Sequence, residues 1–325
     1  MATAVGGERP TLEARRPAIA DGAFRILTLV CGLLVLVILG LIAVSSTKSA
    51  LPAFQHAGFS FLTSKTWNPS AGKFGALAFI FGTMVTSLIA IVIGVPISIG
   101  IALVLSDVAP VRVRRPIIYL IDLLAAIPSV VFGLWGILVL ADKLSRQYAH
   151  IDRAVRGIPV LDTLFGGGQH NGKSLLTAGL ILALMIIPIV TSLSREVFAT
   201  VPSTQKEAAL ALGATRWEMI RGSVLPYGRS GVVGAVMLGL GRAMGETIAV
   251  ALLIGSSPQI TGHLFRSGDA MASVIANSFG ETQRGSTYQA ALIGLGVVLF
   301  AITIIVNLAA RSVLARSEKR LGTAL

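Results

Sequence analysis

Residues 202–226, PSTQKEAALALGATRWEMIRGSVLP, are a polar island between two very apolar segments. The pattern predicts two short helices. Thr204 and Glu207 have the spacing of a capping box, in which the threonine hydroxyl accepts from the Glu207 amide and the carboxylate reaches back. Gly213 fits the left-handed position just past a helix end. The stretch is therefore either an ordinary surface hairpin or a docking element for another protein.

The two predicted helices of this hairpin differ in character. The first has a small apolar turn, Ala208–Leu212, after its polar start. The second is amphipathic and begins at Thr215. We expect it to end at Leu225-Pro226, because proline cannot continue the interior of a helix.

The composition indicates the class of protein that contains the hairpin. Of the 325 residues, 54% are hydrophobic and only 13% are charged, against about 25% charged in soluble domains. The chain is therefore predicted to be a polytopic membrane protein. Its net charge of +12 comes mostly from residues outside the apolar runs, which indicates membrane orientation and anionic lipid headgroups rather than nucleic acid. The single cysteine, Cys31, forms no intrachain disulfide.

Six apolar runs are each long enough to cross the roughly 30 Å hydrocarbon core of a bilayer. They cover residues 24–44, 74–105, 117–141, 175–194, 231–255 and 288–310. Pro96 and Pro188 predict kinks in the second and fourth of them, and the third contains Ile127-Pro128-Ser129. The first run is longer than the apolar part of a signal peptide and follows a long polar lead-in, so we expect a retained anchor.

The polar segments complete the predicted organisation. The chain has an N-terminal tail at 1–23, a first span at 24–44, a main membrane domain at 74–310 that contains the hairpin, and a basic tail at 311–325. Residues 45–73, 142–174 and 256–287 are predicted to be polar loops on the side opposite the tails.

Six spans place both termini on one side of the membrane. The tails, Arg25 and the two loops on that side hold 16 Lys and Arg residues, whereas the three opposite loops hold 10. The positive-inside rule therefore predicts that the termini and the hairpin are cytoplasmic. The basic loop 142–174 argues against this, although Asp142, Asp152 and Asp162 offset part of its charge.

One segment of that loop matches a nucleotide-binding pattern. Residues 167–174, GGQHNGKS, fit the phosphate-binding loop letter for letter. The mechanism of that loop requires a buried strand before it and a soluble helix after it, whereas a polar loop precedes this segment and a membrane span follows. We therefore predict a glycine linker without nucleotide binding. His150 and His170 have no partners at metal-ligand spacing, so no metal site is predicted.

The fifth predicted span carries two charges near its middle. Arg242 and Glu246 are four residues apart and would share one helix face. Each charge costs on the order of 3 kcal/mol there, and such residues usually mark a pathway, although a structural ion pair between two helices is the alternative. An arginine suits an oxyanion because its guanidinium matches two oxygens at once, with Glu246 holding the arginine when the anion is absent. Gly241 and Gly245 form a small-xxx-small pair that allows close approach of another helix.

Two motifs resemble a known family of membrane proteins. Glu207-Ala208-Ala209, followed by Gly213 and Leu225-Pro226, resembles the EAA loop of binding-protein-dependent ABC permeases. Ser223 departs from that pattern, which usually has an apolar residue there. Residues 241–250, GRAMGETIAV, resemble the signature of phosphate-specific (Pst) permeases, and the ending Ala249-Val250 is closer to the PstC-type subunit than to the PstA-type. The resemblance covers residues 74–310.

The resemblance implies half of a type I ABC importer with a MetI-like, all-α fold of six transmembrane helices in the plasma membrane. Its expected partners are a second, PstA-type permease, a dimer of a cytoplasmic PstB-type ATPase, an external PstS-type phosphate-binding protein, and membrane lipids. Glu207, Ala208, Ala209 and Gly213 would belong to a coupling helix in a groove of the ATPase. The chain itself would be no enzyme and would need no cofactor.

Three other functions compete with a phosphate permease. A membrane enzyme would need a convergent nucleophile or acid–base cluster, which the sequence does not suggest. An ion-driven carrier, with Glu246 or Asp122 as its proton site, would usually show paired repeats with interrupted helices. A permease for another oxyanion, such as sulfate or molybdate, is the closest alternative, and only the neighbourhood of Arg242 and Glu246 bears on that choice.

Overall fold

The computed structural model describes residues 18–167 and 171–322, and most of them are helical. The helices are, in chain order, α1 (Ala18–Ala57), α2 (Ser60–Thr63), α3 (Leu77–Leu103), α4 (Val111–Ala126), α5 (Ser129–Trp135), α6 (Ala141–Val155), α7 (Pro159–Phe165), α8 (Leu175–Ala199), α9 (Ser203–Ala211), α10 (Arg216–Met219), α11 (Leu225–Gly245), α12 (Ile248–Leu253), α13 (Met271–Ser278) and α14 (Thr287–Gly322). Three π-helical segments lie at Val104–Val108, Gly136–Leu140 and Ile220–Val224. Two-residue strands, β1 (Trp67–Asn68) and β2 (Lys73–Phe74), pair antiparallel.

The predicted all-α membrane fold is confirmed. In the described part of the chain, five helical stretches are long and apolar enough to cross a membrane: Gly22–Ala57, Leu77–Val108, Leu175–Ala199, Arg216–Gly245 and Thr287–Ser312. Helix α4 and the helical stretch Ser129–Val155 form a sixth candidate, bent by 91° between its two parts. The described residues therefore contain six candidate crossings when the bent pair is counted as one.

The bend replaces the single span predicted at 117–141. It falls at Ile127 and Pro128, which the sequence analysis placed inside that span. Ile127 has extended backbone (φ −66°, ψ 128°), as expected for a residue before proline, whose ring disfavours the helical conformation there. Pro128 is also extended (φ −59°, ψ 142°), so the α-helix stops at Ala126 and starts again at Ser129.

All three segments predicted to be polar loops are partly helical, including residues 256–287, which contain α13. Helix α1 continues past the apolar run to Ala57, and residues 142–174 contain most of α6 and all of α7. Helix α6 is amphipathic rather than uniformly polar, because Tyr148 and Asp152, four residues apart, are both buried. The Tyr148 ring stacks on Phe265 with ring centroids 4.1 Å apart, which joins this segment to the loop between α12 and α13.

The chain divides into two units, residues 1–48 and residues 49–325. The described part of the first unit, residues 18–48, belongs to α1, and its large apolar side chains from Phe24 to Val44 are exposed. A long helix with exposed apolar side chains fits a membrane span.

The core of the second unit is the close packing of α3 against α8. A methyl group on Gly179 would lie 2.6 Å from Cγ2 of Ile89, and one on Gly94 would lie 2.9 Å from Cγ1 of Ile186. Each helix thus presents a glycine to an isoleucine of the other, which lets the backbones approach closely. A separate cluster, with Met219 at its edge, forms where the hairpin meets the ends of α3 and α8.

Candidate coupling hairpin and intramembrane charge site

The turn of the hairpin has the geometry that the sequence predicted. Gly213 adopts the left-handed conformation (φ 87°) just past the end of α9. Its N–H donates to the carbonyl oxygen of Leu210 (3.0 Å). The N–H of Ala214 donates to the carbonyl oxygen of Ala209 (3.2 Å). This pair of hydrogen bonds is the Schellman motif, which satisfies carbonyl groups left free at the helix end. The predicted role of Gly213 in the turn is confirmed.

The capping box predicted at Thr204 and Glu207 is wrong. Helix α9 begins at Ser203, so Thr204 lies inside its first turn, and no side chain caps it. The capping box forms instead at α10, where Thr215 Oγ1 accepts from the Glu218 N–H (3.3 Å) and the Thr215 N–H donates to Glu218 Oε2 (2.8 Å). The Thr215 hydroxyl also donates to Glu218 Oε2 (2.8 Å). The same T-x-x-E spacing was present in the sequence at this second place.

The expectation that the second helix ends at Leu225-Pro226 is also wrong. Helix α10, the π-helical segment Ile220–Val224 and α11 form one continuous helical stretch from Arg216 to Gly245. Proline lacks an N–H group and therefore removes a helical hydrogen bond. Pro226 is the second residue after the π-helical segment, where the regular hydrogen-bond pattern is already interrupted. The hairpin therefore leads without a break into the fifth span.

The hairpin presents an exposed surface beside its carboxylate. Glu207, Ala208 and Gly213 are exposed and Ala209 is half-buried. The side chains of Leu212 and Trp217, which follow on the same hairpin, are 89% and 62% exposed. Large exposed apolar side chains next to polar ones are typical of protein interaction sites. A groove beside them is lined by residues of α9 and of the continuous helix, namely Gln205, Ala208, Ala209, Leu212, Gly222, Ser223, Pro226 and Tyr227.

Arg242 and Glu246 do not share a helix face. Helix α11 ends at Gly245, and Glu246 has extended backbone (φ −68°, ψ 129°). Glu246 Oε1 instead accepts from the N–H of Ala249 (3.4 Å), at the start of α12. Within the described residues no ion pair joins Glu246 to Arg242, whose side chain is exposed. The predicted contact is absent because the helix breaks between the two charges.

The close approach of another helix at Gly241 and Gly245 is not made within the described residues, so it stays a prediction. No atom of the described chain lies within 4 Å of a methyl group placed on Gly241 or Gly245. The close approach occurs earlier in the helix, where a methyl group on Gly239 would lie 2.7 Å from Cγ2 of Val190 and one on Gly231 would lie 2.5 Å from Cγ2 of Val197. The contacts of α11 with α8 are therefore made by glycines that the sequence did not single out.

The segment that resembles a phosphate-binding loop has a structural role where it is described; residues 168–170, including His170, lie outside the described part. Ser174 is buried, and its hydroxyl caps α8 by accepting from the Thr177 N–H (3.1 Å). The Gly167 N–H donates to Asp152 Oδ1 (2.8 Å). Within 18–167 and 171–322, no group of three or more His, Cys, Asp or Glu residues is placed to hold a metal ion.

Asp269, which the sequence did not single out, lies in the loop before α13 and is buried there against α3. Burial raises the pKa of its carboxyl to about 6, although the hydrogen bond from the Ala270 N–H (2.8 Å) opposes the shift. The neighbouring Met271 N–H donates to Thr83 Oγ1 of α3 (3.0 Å). A lone Asp in a predicted polar loop gives no sequence signal for such burial.

The fold and the hairpin are those of a multi-pass membrane permease, and the chain belongs to the family of binding-protein-dependent transport system inner membrane components, whose model matches residues 94–322. Within that family it is similar to the phosphate transport system permease protein PstC of Mesorhizobium japonicum, with 46% identity over 95% of this chain and 94% of the relative. PstC of Xylella fastidiosa is 44% identical over 94% of each chain, and PstC of Haemophilus influenzae is 41% identical over 93% and 95%.

The predicted family is thereby confirmed. Among solved structures, the chain is similar to the MetNI methionine ABC transporter in inward facing conformations, with a TM-score of 0.48 and 16% identity over 74% of this chain and 94% of that chain.

Proposed function

We propose that this chain is the permease subunit of an ATP-driven importer for inorganic phosphate and forms half of its translocation pathway. The observation that carries the proposal is Arg242, which has no carboxylate partner in the described part of the chain and lies within GRAMGETIAV, residues 241–250. The extensive similarity to permeases named for phosphate transport supports the same substrate.

The chemistry of this site suits an oxyanion. A guanidinium is planar and always charged, so it donates two parallel hydrogen bonds to the oxygens of a phosphate. Glu246 engages the backbone of α12 rather than Arg242, so the arginine stays available to an anion. Gly241 and Gly245 leave an open surface beside it, which a helix of a second, PstA-type permease would cover to complete the pathway.

The hairpin would connect the permease to the ATPase that supplies its energy. Glu207, Ala208, Ala209 and Gly213 would dock in a groove of a PstB-type ATPase dimer, with the exposed side chain of Leu212 beside them. Hydrolysis of ATP would take place on that separate subunit, and an external PstS-type protein would deliver phosphate. The excess of basic residues on the hairpin side favours a plasma-membrane orientation with cytoplasmic termini.

The substrate is tested by uptake of radiolabelled phosphate in cells that lack this chain. The cells are complemented with the wild type, with Arg242→Gln, or with the matched control Arg229→Gln, an exposed arginine nearer the start of the same helix. We expect uptake with the wild type and the control and none with Arg242→Gln at equal membrane levels. Restored sulfate uptake instead of phosphate uptake would assign another oxyanion, and normal transport by Arg242→Gln would refute the pathway role.

The coupling role is tested by purification of the complex. Glu207→Lys should insert normally but weaken co-purification of the ATPase, because it reverses the charge at the exposed docking face. Glu281→Lys makes the same change at an exposed residue between α13 and α14 and should leave the ATPase bound. Normal co-purification and transport with Glu207→Lys would refute the docking assignment.

A further inference from the structure

A largely buried ion pair joins the hairpin to the end of the second span. Lys206 Nζ of α9 lies 2.5 Å from Asp107 Oδ1, and the two side chains are only 20% and 6% exposed. Asp107 belongs to the π-helical segment that follows α3, and the two residues are 99 positions apart in the chain. Lys206 directly precedes Glu207, the residue proposed to meet the ATPase.

This ion pair is the main polar attachment of α9 to the membrane helices. No residue of α9 is fully buried, and only Lys206 and Ala209 are even half-buried. The base of the hairpin is held differently, by apolar packing of Met219 and Ile220 in the cluster that contains Leu103 at the end of α3. Helix α9 itself contributes Ala209 to the edge of that cluster, and Lys206 supplies its ion pair with the second span.

The ion pair resists separation of its two elements. Asp107 Oδ2 is buried and has no hydrogen-bond partner among the residues that the structure describes, so Lys206 is the group that compensates this carboxylate. Removing one member of a buried ion pair leaves an uncompensated charge in a medium that solvates it poorly, which is strongly unfavourable. A displacement of α9 therefore carries the end of α3 with it rather than breaking the contact.

We propose that the Asp107–Lys206 ion pair transmits movement of the coupling hairpin to the second membrane span, so that ATP hydrolysis and phosphate passage stay linked. The two side chains act as positioning residues, because neither touches phosphate or nucleotide. This inference rests on the proposed function of the chain as a phosphate permease.

The test uses the complete importer, with both permeases, the ATPase and the binding protein, reconstituted in lipid vesicles. The quantity measured is the number of ATP molecules hydrolysed per phosphate moved, together with the amount of ATPase that co-purifies. Lys206→Met and Asp107→Asn should each raise this ratio about fivefold or more, the usual lower range of coupling between two sites, while the ATPase remains bound. Asp142→Asn is the control, because its ion pair with Arg146 is exposed and long (4.0 Å).

Rescue variants separate transmission from simple support of the fold. Lys206→Arg should keep the wild-type ratio, and the exchange Asp107→Lys with Lys206→Asp should restore much of it. A lower yield of complex with an unchanged ratio in Lys206→Met would overturn the inference, since the ion pair would then only support the fold. If the wild-type complex hydrolyses ATP but moves no phosphate, the proposed function fails first, and the inference with it.

Discussion

The backbone carbonyl oxygen of Asp269 lies against Gly82 of α3, at the place where any other residue would carry its β-carbon. The adjacent hydrogen bond from the Met271 N–H to Thr83 Oγ1 (3.0 Å) fixes the same loop on the same helix. The loop before α13 is thus held directly on the second span by two consecutive residues of α3, and a side chain at the first of them would push the two apart.

We expect Gly82→Ala to lower the thermal stability of the purified protein. The added methyl group would overlap a backbone atom that cannot move away without shifting the loop, and such overpacking typically costs about 1–3 kcal/mol. Gly100→Ala is the matched control on the same helix, because nothing lies within 4 Å of its added methyl group. Equal melting temperatures for the two variants would contradict the close contact.

Asp269→Asn should stabilise the protein at pH 7 and reduce its dependence on pH. Burial raises the pKa of this carboxyl from 3.8 to about 6, so the folded state binds its proton more tightly than the unfolded state. The contribution of Asp269 to stability is therefore unfavourable above about pH 6 and improves as the pH falls toward 3.8. The difference amounts to at most about 3 kcal/mol. Melting temperatures measured from pH 4 to 8 would show a flatter profile for Asp269→Asn, and an unchanged profile would exclude the burial effect.

Gly213→Ala should loosen the turn of the hairpin. A left-handed backbone costs a residue with a β-carbon about 1–2 kcal/mol, so alanine would favour a different path after α9. We expect weaker co-purification of the ATPase from this variant at normal membrane levels. Gly222→Ala, also on the hairpin but without a positive φ or a close neighbour, should bind the ATPase normally.

Thr215→Ala should reduce protection of the α10 amides from hydrogen exchange. Loss of a capping threonine typically costs about 1 kcal/mol, and the Glu218 N–H would lose its acceptor. Thr204→Ala serves as the control, because Thr204 caps no helix. Exchange measured on residues 216–219 distinguishes the two, and equal protection in both variants would place the capping box elsewhere.

Local patterns predicted the apolar spans and the turn at Gly213 well, because both depend on neighbouring residues. The break after Gly245 and the passage of the helix through Pro226 depend on where π-helical segments and helix ends fall, which composition does not reveal. The spacing of Arg242 and Glu246 therefore suggested a contact that the structure does not form.

The contact between Asp107 and Lys206 could not be predicted from the sequence, for a different reason. These residues are 99 positions apart, and one of them follows a span that reads as uniformly apolar. Residues 142–174 were predicted to be a polar loop because their average composition is polar. Helix α6 nevertheless has one buried face, which includes Tyr148 and Asp152, and an average over the segment hides it.

The unbroken helical stretch from Arg216 to Gly245 has a mechanical consequence. With a rise of 1.5 Å per residue, about 40 Å separates Arg216 from Arg242, so a tilt of about 5° at the hairpin end would swing the arginine by about 3 Å. That distance is the length of one hydrogen bond, enough to make or release an oxygen ligand. If Arg242 binds an anion as proposed, a small tilt of the hairpin would therefore be enough to make or break that contact at the other end of the stretch.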